Sequence, residues 1–181
     1  QYIYDGQVEN MTAVPLSVQV LDGDGSTTVQ QRTLYRSRYG PMLVLKVGTF
    51  PVLGWSRTTA FTLRDANFEN DRVMNQFLEW NKAKSLDQFK RLHASVLGVP
   101  WVNTVASGPG GDAYYGDVSV VPNVTDAQAK SCKVPLYSDL VGLLVPGLPL
   151  MDGSRSDCEW GADPDAPAPG IFGPNNRPTL E

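Results

Sequence analysis

Apolar and polar residues alternate through the first third of the chain. In VPLSVQVL the residues Val14, Leu16, Val18 and Val20 fall on one face of an extended segment, the period-two signature of a half-buried strand. DGDG (Asp22–Gly25) then reads as the turn that sends the chain back along TTVQQRTLYRS. YIYDGQ near the start reads as a short strand and turn. RYGPMLVL resumes β structure after a Gly-Pro break, and RTTAFTLR (Arg57–Arg64) reads as a further strand rich in threonine and aromatic residues. Residues 1–64 are therefore expected to be mainly β, with three or four antiparallel strands.

The period changes after Arg64. From Asn67 to about Lys82, Phe68, Val73, Met74, Phe77 and Leu78 recur near 3.6 residues with charges between them, which predicts an amphipathic helix. Ser85 is placed to cap a second helix, with Gln88 three residues on to complete a capping box. Phe89, Leu92, His93, Val96 and Leu97 form its apolar stripe, and Gly98 is placed as the C′ residue just past its end. Residues 65–98 thus hold two helices, and 99–123 (PWVNTVAS, GPGG, DAYYGDVSVVP) read as a hairpin with Trp101 and Asn103 on its first arm. Residues 124–181 form an irregular Pro/Gly-rich region. The fold class is α+β, with antiparallel strands and two adjacent helices.

Composition narrows the partners. The formal net charge is −4 and no basic run is present, which argues against nucleic acid and against an anionic membrane surface. No apolar run has the length of a membrane span. One histidine, His93, and the absence of CxxC spacing argue against a zinc site. Cys132 and Cys158 read better as a disulfide than as two free thiols, and a bridge implies an oxidising compartment, periplasmic or extracellular. A start at Gln1, without a signal-like segment, is expected of a processed or excised piece.

Little here resembles catalytic apparatus. GDG and GPGG are followed neither by Lys-Ser/Thr nor by the start of a helix, so they read as turns rather than phosphate loops. DGDG lacks the glutamate of a calcium loop. RDANFEND (Arg64–Asp71) could offer a carboxylate pair, but reads better as a helix N-terminus capped by Asp and Asn. His93 has no partner residues for a nucleophilic triad and is expected beside the helical stripe, partly buried and hydrogen-bonded. The residues support binding instead. Trp101 and Val102 would line an apolar pocket with Asn103 as a polar anchor; alternatively, Trp101 fills the core between sheet and helices.

The run RYGP, LRDANFENDRVMNQFLEWNKAKSLDQFKRLHASVLGVPWVNTVAS and AYYGDVSVVP resembles the β-subunit of penicillin acylase-type N-terminal-nucleophile hydrolases, in particular the branch of acyl-homoserine lactone and aculeacin acylases. The resemblance implies an αββα sandwich and a secreted or periplasmic precursor that cleaves itself into α and β chains. It also implies a β-chain N-terminal serine that attacks an amide carbonyl with its own amino group as base, assisted by an oxyanion hole. Gln1 cannot be that nucleophile, so the resemblance puts the catalytic residues on other segments of the precursor and none on this chain. What carries over is the acyl pocket, at Phe77, Trp101 and Val102. Phenylalanine at position 77, smaller than a tryptophan, would leave more room at that wall. The expected partners are the α-chain, the serine-bearing β segment and a small acyl amide, an N-acyl-homoserine lactone or a β-lactam. Neither cofactor nor metal is called for. The alternative is a stand-alone, non-catalytic binding or scaffold domain of the same ancestry.

Overall fold

The computed structural model describes residues 1–176. The chain forms two compact units: Gln1–Arg64 with Lys133–Asp157, and Asp65–Cys132 with the stretch from Cys158 onward. Secondary structure is mixed α+β with antiparallel sheets throughout.

In the first unit, β1 (Tyr2–Tyr4) and β2 (Gln7–Glu9) pair across Asp5 and Gly6, both at positive φ (46° and 73°). Two left-handed residues match the twist of a two-residue hairpin. Strands β3 (Thr12–Leu21) and β4 (Thr27–Ser37) form a long ribbon in continuous register, from Thr12 opposite Arg36 to Leu21 opposite Thr27. The carboxylate of Asp24 closes its turn by accepting from the backbone N–H and the hydroxyl of Ser26. β5 (Gly40–Leu43) extends this sheet. β6 (Leu45–Val47) and β7 (Phe50–Leu53) make a separate ribbon, and β8 (Phe61–Thr62) completes the four-stranded order β3-β4-β5-β8.

Two strand expectations are corrected. The strand expected over Arg57–Arg64 shrinks to Phe61–Thr62, because the Ser56 hydroxyl accepts from the N–H groups of Thr58 and Thr59 and draws that stretch into a turn. Val14, Leu16, Val18 and Val20 do share one face of β3, yet it is only partly covered: Leu16 and Val18, with Leu34 on the same face of β4, are exposed, while Val14 and Val20 are half-buried.

The second unit contains α1 (Val73–Lys82), α2 (Leu86–Val96) and the hairpin of β9 (Thr104–Ser107) and β10 (Ala113–Gly116), followed by α3 (Asp126–Ser131). Helix α1 starts six residues later than the pattern predicts. Asp65–Asp71 form successive turns instead, with Asn67 N–H bound to the Asp65 carboxylate. Arg72 stands at the cap position and no side chain caps the helix, so the Asp and Asn residues of this stretch do not serve as its cap.

Ser85 caps α2 as expected, its hydroxyl accepting from Gln88 N–H at 3.1 Å. The Gln88 amide oxygen reaches back to Lys84 N–H rather than to Ser85. The end of α2 differs as well. Leu97, not Gly98, takes the left-handed conformation (φ 46°, ψ 48°). Gly98 has another task, since a Cβ there would lie 2.5 Å from the carbonyl oxygen of Arg72.

The core of this unit is aromatic. Trp80 and Phe89 stack at 4.6 Å, and the ring of His93 meets Trp80 edge-on at 5.0 Å. His93 is fully buried, its Nδ1 3.1 Å from the Tyr114 hydroxyl. Cys132, which ends α3, is disulfide-bonded to Cys158, 26 residues on. Beyond it the chain is fastened back onto the exit of the hairpin. Pro122 bridges Ile171, Asn123 N–H donates to Gly170 O, and Gly161 N–H donates to Asn123 O. The intervening residues 133–157 belong to the first unit and include α4 (Tyr137–Leu144), whose Tyr137 ring packs edge-on against Phe61.

Candidate functional site

The expected site residues all lie in the second unit, and three are strongly exposed. Trp101 is 72% exposed, Val102 56% and Phe77 54%. Trp101 therefore does not fill the core between the sheet and helices of this unit. Nor does it lie on the first arm of the hairpin: β9 begins only at Thr104, and Trp101–Asn103 form a corner ahead of it.

The geometry of that corner is unusual. Val102 N–H donates to Pro100 O, closing a three-residue turn with Trp101 at its apex, and Trp101 takes a positive φ of 22°. A turn of this hand is rare and strained for a bulky residue. Pro100 and Val99 anchor the entry side, Val99 being buried and its carbonyl accepting from Val120 N–H. Among the described residues this exposed tryptophan packs into no core, and backbone strain of this kind is found at active sites and ligand clamps.

Asn103 is exposed, and its Nδ2 donates to the Tyr115 hydroxyl at 2.8 Å. Tyr115 sits on β10 opposite Val105 of β9. The hairpin alternates cleanly. Thr104, Ala106, Tyr114 and Gly116 turn inward, whereas Val105 (77% exposed) and Tyr115 point out on the same side. The sequence singled out Trp101, Val102 and Asn103 but not Tyr115, because an aromatic residue at an alternating strand position reads as packing.

Phe77 reaches its position by a route the periodicity did not anticipate. The apolar residues Met74, Phe77 and Leu78 of α1 face outward, while Gln76 is fully buried. Gln76 Oε1 accepts from Gly98 N–H at 3.1 Å and its Nε2 donates to Leu92 O at 3.2 Å. These two bonds hold the base of α1 against the end of α2, so Gln76 turns inward beside Trp80 while Met74, Phe77 and Leu78 are left outward. Phe77 is held edge-on by Trp80 at 5.4 Å. No ring contact joins Phe77 to Trp101 among the described residues.

A cavity of about 460 Å³ lies elsewhere on this unit, between the start of α2 (Lys84, Ser85, Asp87, Lys90) and the hairpin turn (Gly108, Pro109, Asp112). Its lining is polar and includes none of the expected site residues. No cluster of metal-ligating residues occurs among the described residues, and no helix among them is long and apolar enough to cross a membrane.

The chain belongs to the penicillin amidase family, whose match spans residues 1–181. It is 40% identical to aculeacin-A acylase of Actinoplanes utahensis over 98% of this chain and 21% of that protein. It is 37% identical to the acyl-homoserine lactone acylase PvdQ of Pseudomonas savastanoi pv. phaseolicola, over 99% of this chain and 22% of that protein. The chain thus spans about a fifth of the length of these relatives. The structure is similar to that of penicillin G acylase from Alcaligenes faecalis, with a TM-score of 0.60 at 16% identity, covering 99% of this chain and 26% of that one. That likeness bears on the fold alone.

Proposed function

We propose that the chain is a segment of an N-acyl amidohydrolase that removes the acyl chain from N-acyl-homoserine lactones, β-lactams or related acyl amides. In this reading it supplies part of the central sheet and one wall of the acyl pocket. The observation that carries it is the exposure of Trp101 and Val102 on a strained corner, together with membership of the penicillin amidase family. Phe77, presented outward by the buried amide of Gln76, would add a second apolar surface.

The nucleophile and the oxyanion hole belong, in this proposal, to parts of the protein outside these residues, and the span of about a fifth of the relatives' length supports it. The partly uncovered apolar face of β3–β4 also suits a piece packed against further chain. The four segments read from the sequence (1–64, 65–98, 99–123 and 124–181) are proposed as the working parts of such a β-subunit piece. The proposed partners are the α-chain and the serine-bearing β segment. The buried disulfide favours a periplasmic or secreted setting.

The test is Trp101→Ala in the full-length protein, assayed on a ladder of acyl lengths. A pocket wall that buries alkyl chain ranks lengths by roughly 0.8 kcal/mol per methylene, about fourfold each. The variant should raise KM or shift the preferred length while leaving precursor self-cleavage intact. Unchanged kinetics along the whole ladder would remove Trp101 from the pocket.

A further inference from the structure

An apolar wall ranks acyl chains but does not register where the scissile amide lies. The corner carries one group suited to that task. Asn103 follows directly on Trp101 and Val102, and its amide is not left to rotate: Nδ2 donates to the Tyr115 hydroxyl at 2.8 Å. One N–H of that group is engaged by Tyr115, and the other end of the amide is a carbonyl oxygen on an exposed residue, beside two exposed apolar side chains. Tyr115 is itself fixed by the hairpin. It lies opposite Val105 in a ladder that runs from Ala113–Ser107 to Gly116–Thr104, and its neighbour Tyr114 is buried against His93. The hairpin ladder thus sets the direction of a hydrogen-bond acceptor that belongs to a different, irregular segment.

We propose that Asn103 Oδ1, oriented by Tyr115, accepts the N–H of the substrate's amide while the acyl chain lies along Trp101 and Val102. The ligand class follows from the chemistry: a secondary amide flanked by an alkyl or aryl group, in which one N–H donor meets one fixed acceptor at the end of an apolar surface. Tyr115 is a positioning residue in this arrangement, because it acts only through Asn103. The proposal rests on the acylase reading above and specifies which atom of this chain meets the bond to be cut.

The experiment compares, in the full-length protein, an amide and an ester that share the same acyl chain and leaving skeleton. The ester carries oxygen where the amide carries N–H, so it cannot donate to Asn103. Asn103→Leu and Tyr115→Phe should each lower kcat/KM for the amide by about three- to tenfold relative to the ester, the range of a single neutral hydrogen bond. The loss should appear chiefly in KM, as expected for a contact made alike in ground and transition states. Asn103→Asp keeps an acceptor oxygen and can accept from Tyr115 in turn, so its amide-to-ester ratio should stay within about twofold of the unsubstituted protein. Circular dichroism and the ester rate identify any variant that has merely misfolded, and Asn103→Asp against Asn103→Leu then decides the matter on folded protein. If folded variants change amide and ester alike, or change neither, the assignment of Asn103 is overturned while the acylase reading stands. If the unsubstituted protein hydrolyses neither substrate, the acylase reading fails and this assignment falls with it.

Discussion

The α-carbon of Gly98 faces the carbonyl of Arg72 so closely that a methyl group on it would stand 2.5 Å from the oxygen and 2.8 Å from the carbon. The obstacle is backbone, which cannot swing aside as a side chain would. A third contact, 3.0 Å from Gln76 Cβ, closes the remaining direction. Gly98 is therefore the point at which the end of α2 touches the start of α1, and three hydrogen bonds gather there. Its N–H donates to Gln76, its carbonyl accepts from Asn70 Nδ2, and the Arg72 guanidinium donates to Leu97 O at 3.3 Å.

Gly98→Ala sets two effects against each other. Restricting the unfolded chain contributes about 0.4–1 kcal/mol in favour of folding, whereas forcing a methyl into packed backbone costs about 1–3 kcal/mol. The clash wins, and urea unfolding should show a net loss of roughly 1–2 kcal/mol. An unchanged or raised midpoint would mean that the two helices are not in this contact.

The Cys132–Cys158 bridge makes a second prediction, from its place in the chain. It closes a loop with a sequence separation of 26 residues, worth roughly 3.5 kcal/mol on the chain-entropy account. Both sulfurs are buried, with Cys132 1% and Cys158 7% exposed. Mild thiol reductants should therefore leave the native protein oxidised and reduce it readily only in denaturant. The double substitution Cys132→Ala and Cys158→Ala should lower stability by about 2–4 kcal/mol. Rapid native-state reduction, followed by alkylation of both cysteines, would contradict the burial.

How far the sequence could be read depended on whether the deciding force was local. Ser85 was legible because a hydroxyl three residues before Gln88 N–H caps a helix whatever surrounds it. The β3–β4 hairpin was legible because alternation and a DGDG turn act between neighbours in sequence. The orientation of α1 was not. Periodicity reports which residues are apolar, not which side is covered, and two hydrogen bonds bury Gln76 on the side that also carries Trp80. Leu97 in the left-handed region failed for a related reason. The usual rule gives that conformation to glycine, but here the glycine is consumed by the close approach to Arg72, and the strain falls on Leu97, whose side chain is 2% exposed. At the candidate site, Trp101, Val102 and Asn103 stood out as residue types. Their exposure, the strained turn and the bond to Tyr115 depend on contacts between segments that no single stretch of sequence displays.

The strap after Cys158 should respond to acid through Asp163. Its Oδ2 accepts from Gly173 N–H at 2.8 Å. That backbone bond above all, with further bonds from the Asn123 and Asn176 side chains, holds the carboxyl below its usual value of 3.8. A carboxylate whose folded pKa is depressed contributes stability above its unfolded pKa, and this contribution fades as pH falls through the lower folded value. The fastening should thus be intact at neutral pH and weaken only below the ordinary aspartate range. In an NMR titration the side-chain carboxyl carbon of Asp163 should report an inflection below 3.8, read at Asp163 itself because the Asp165 carboxylate also lies against Gly173. An inflection at or above the ordinary aspartate value would mean that the Gly173 bond does not favour the charged carboxylate. Asp163 would then not be what fastens the strap.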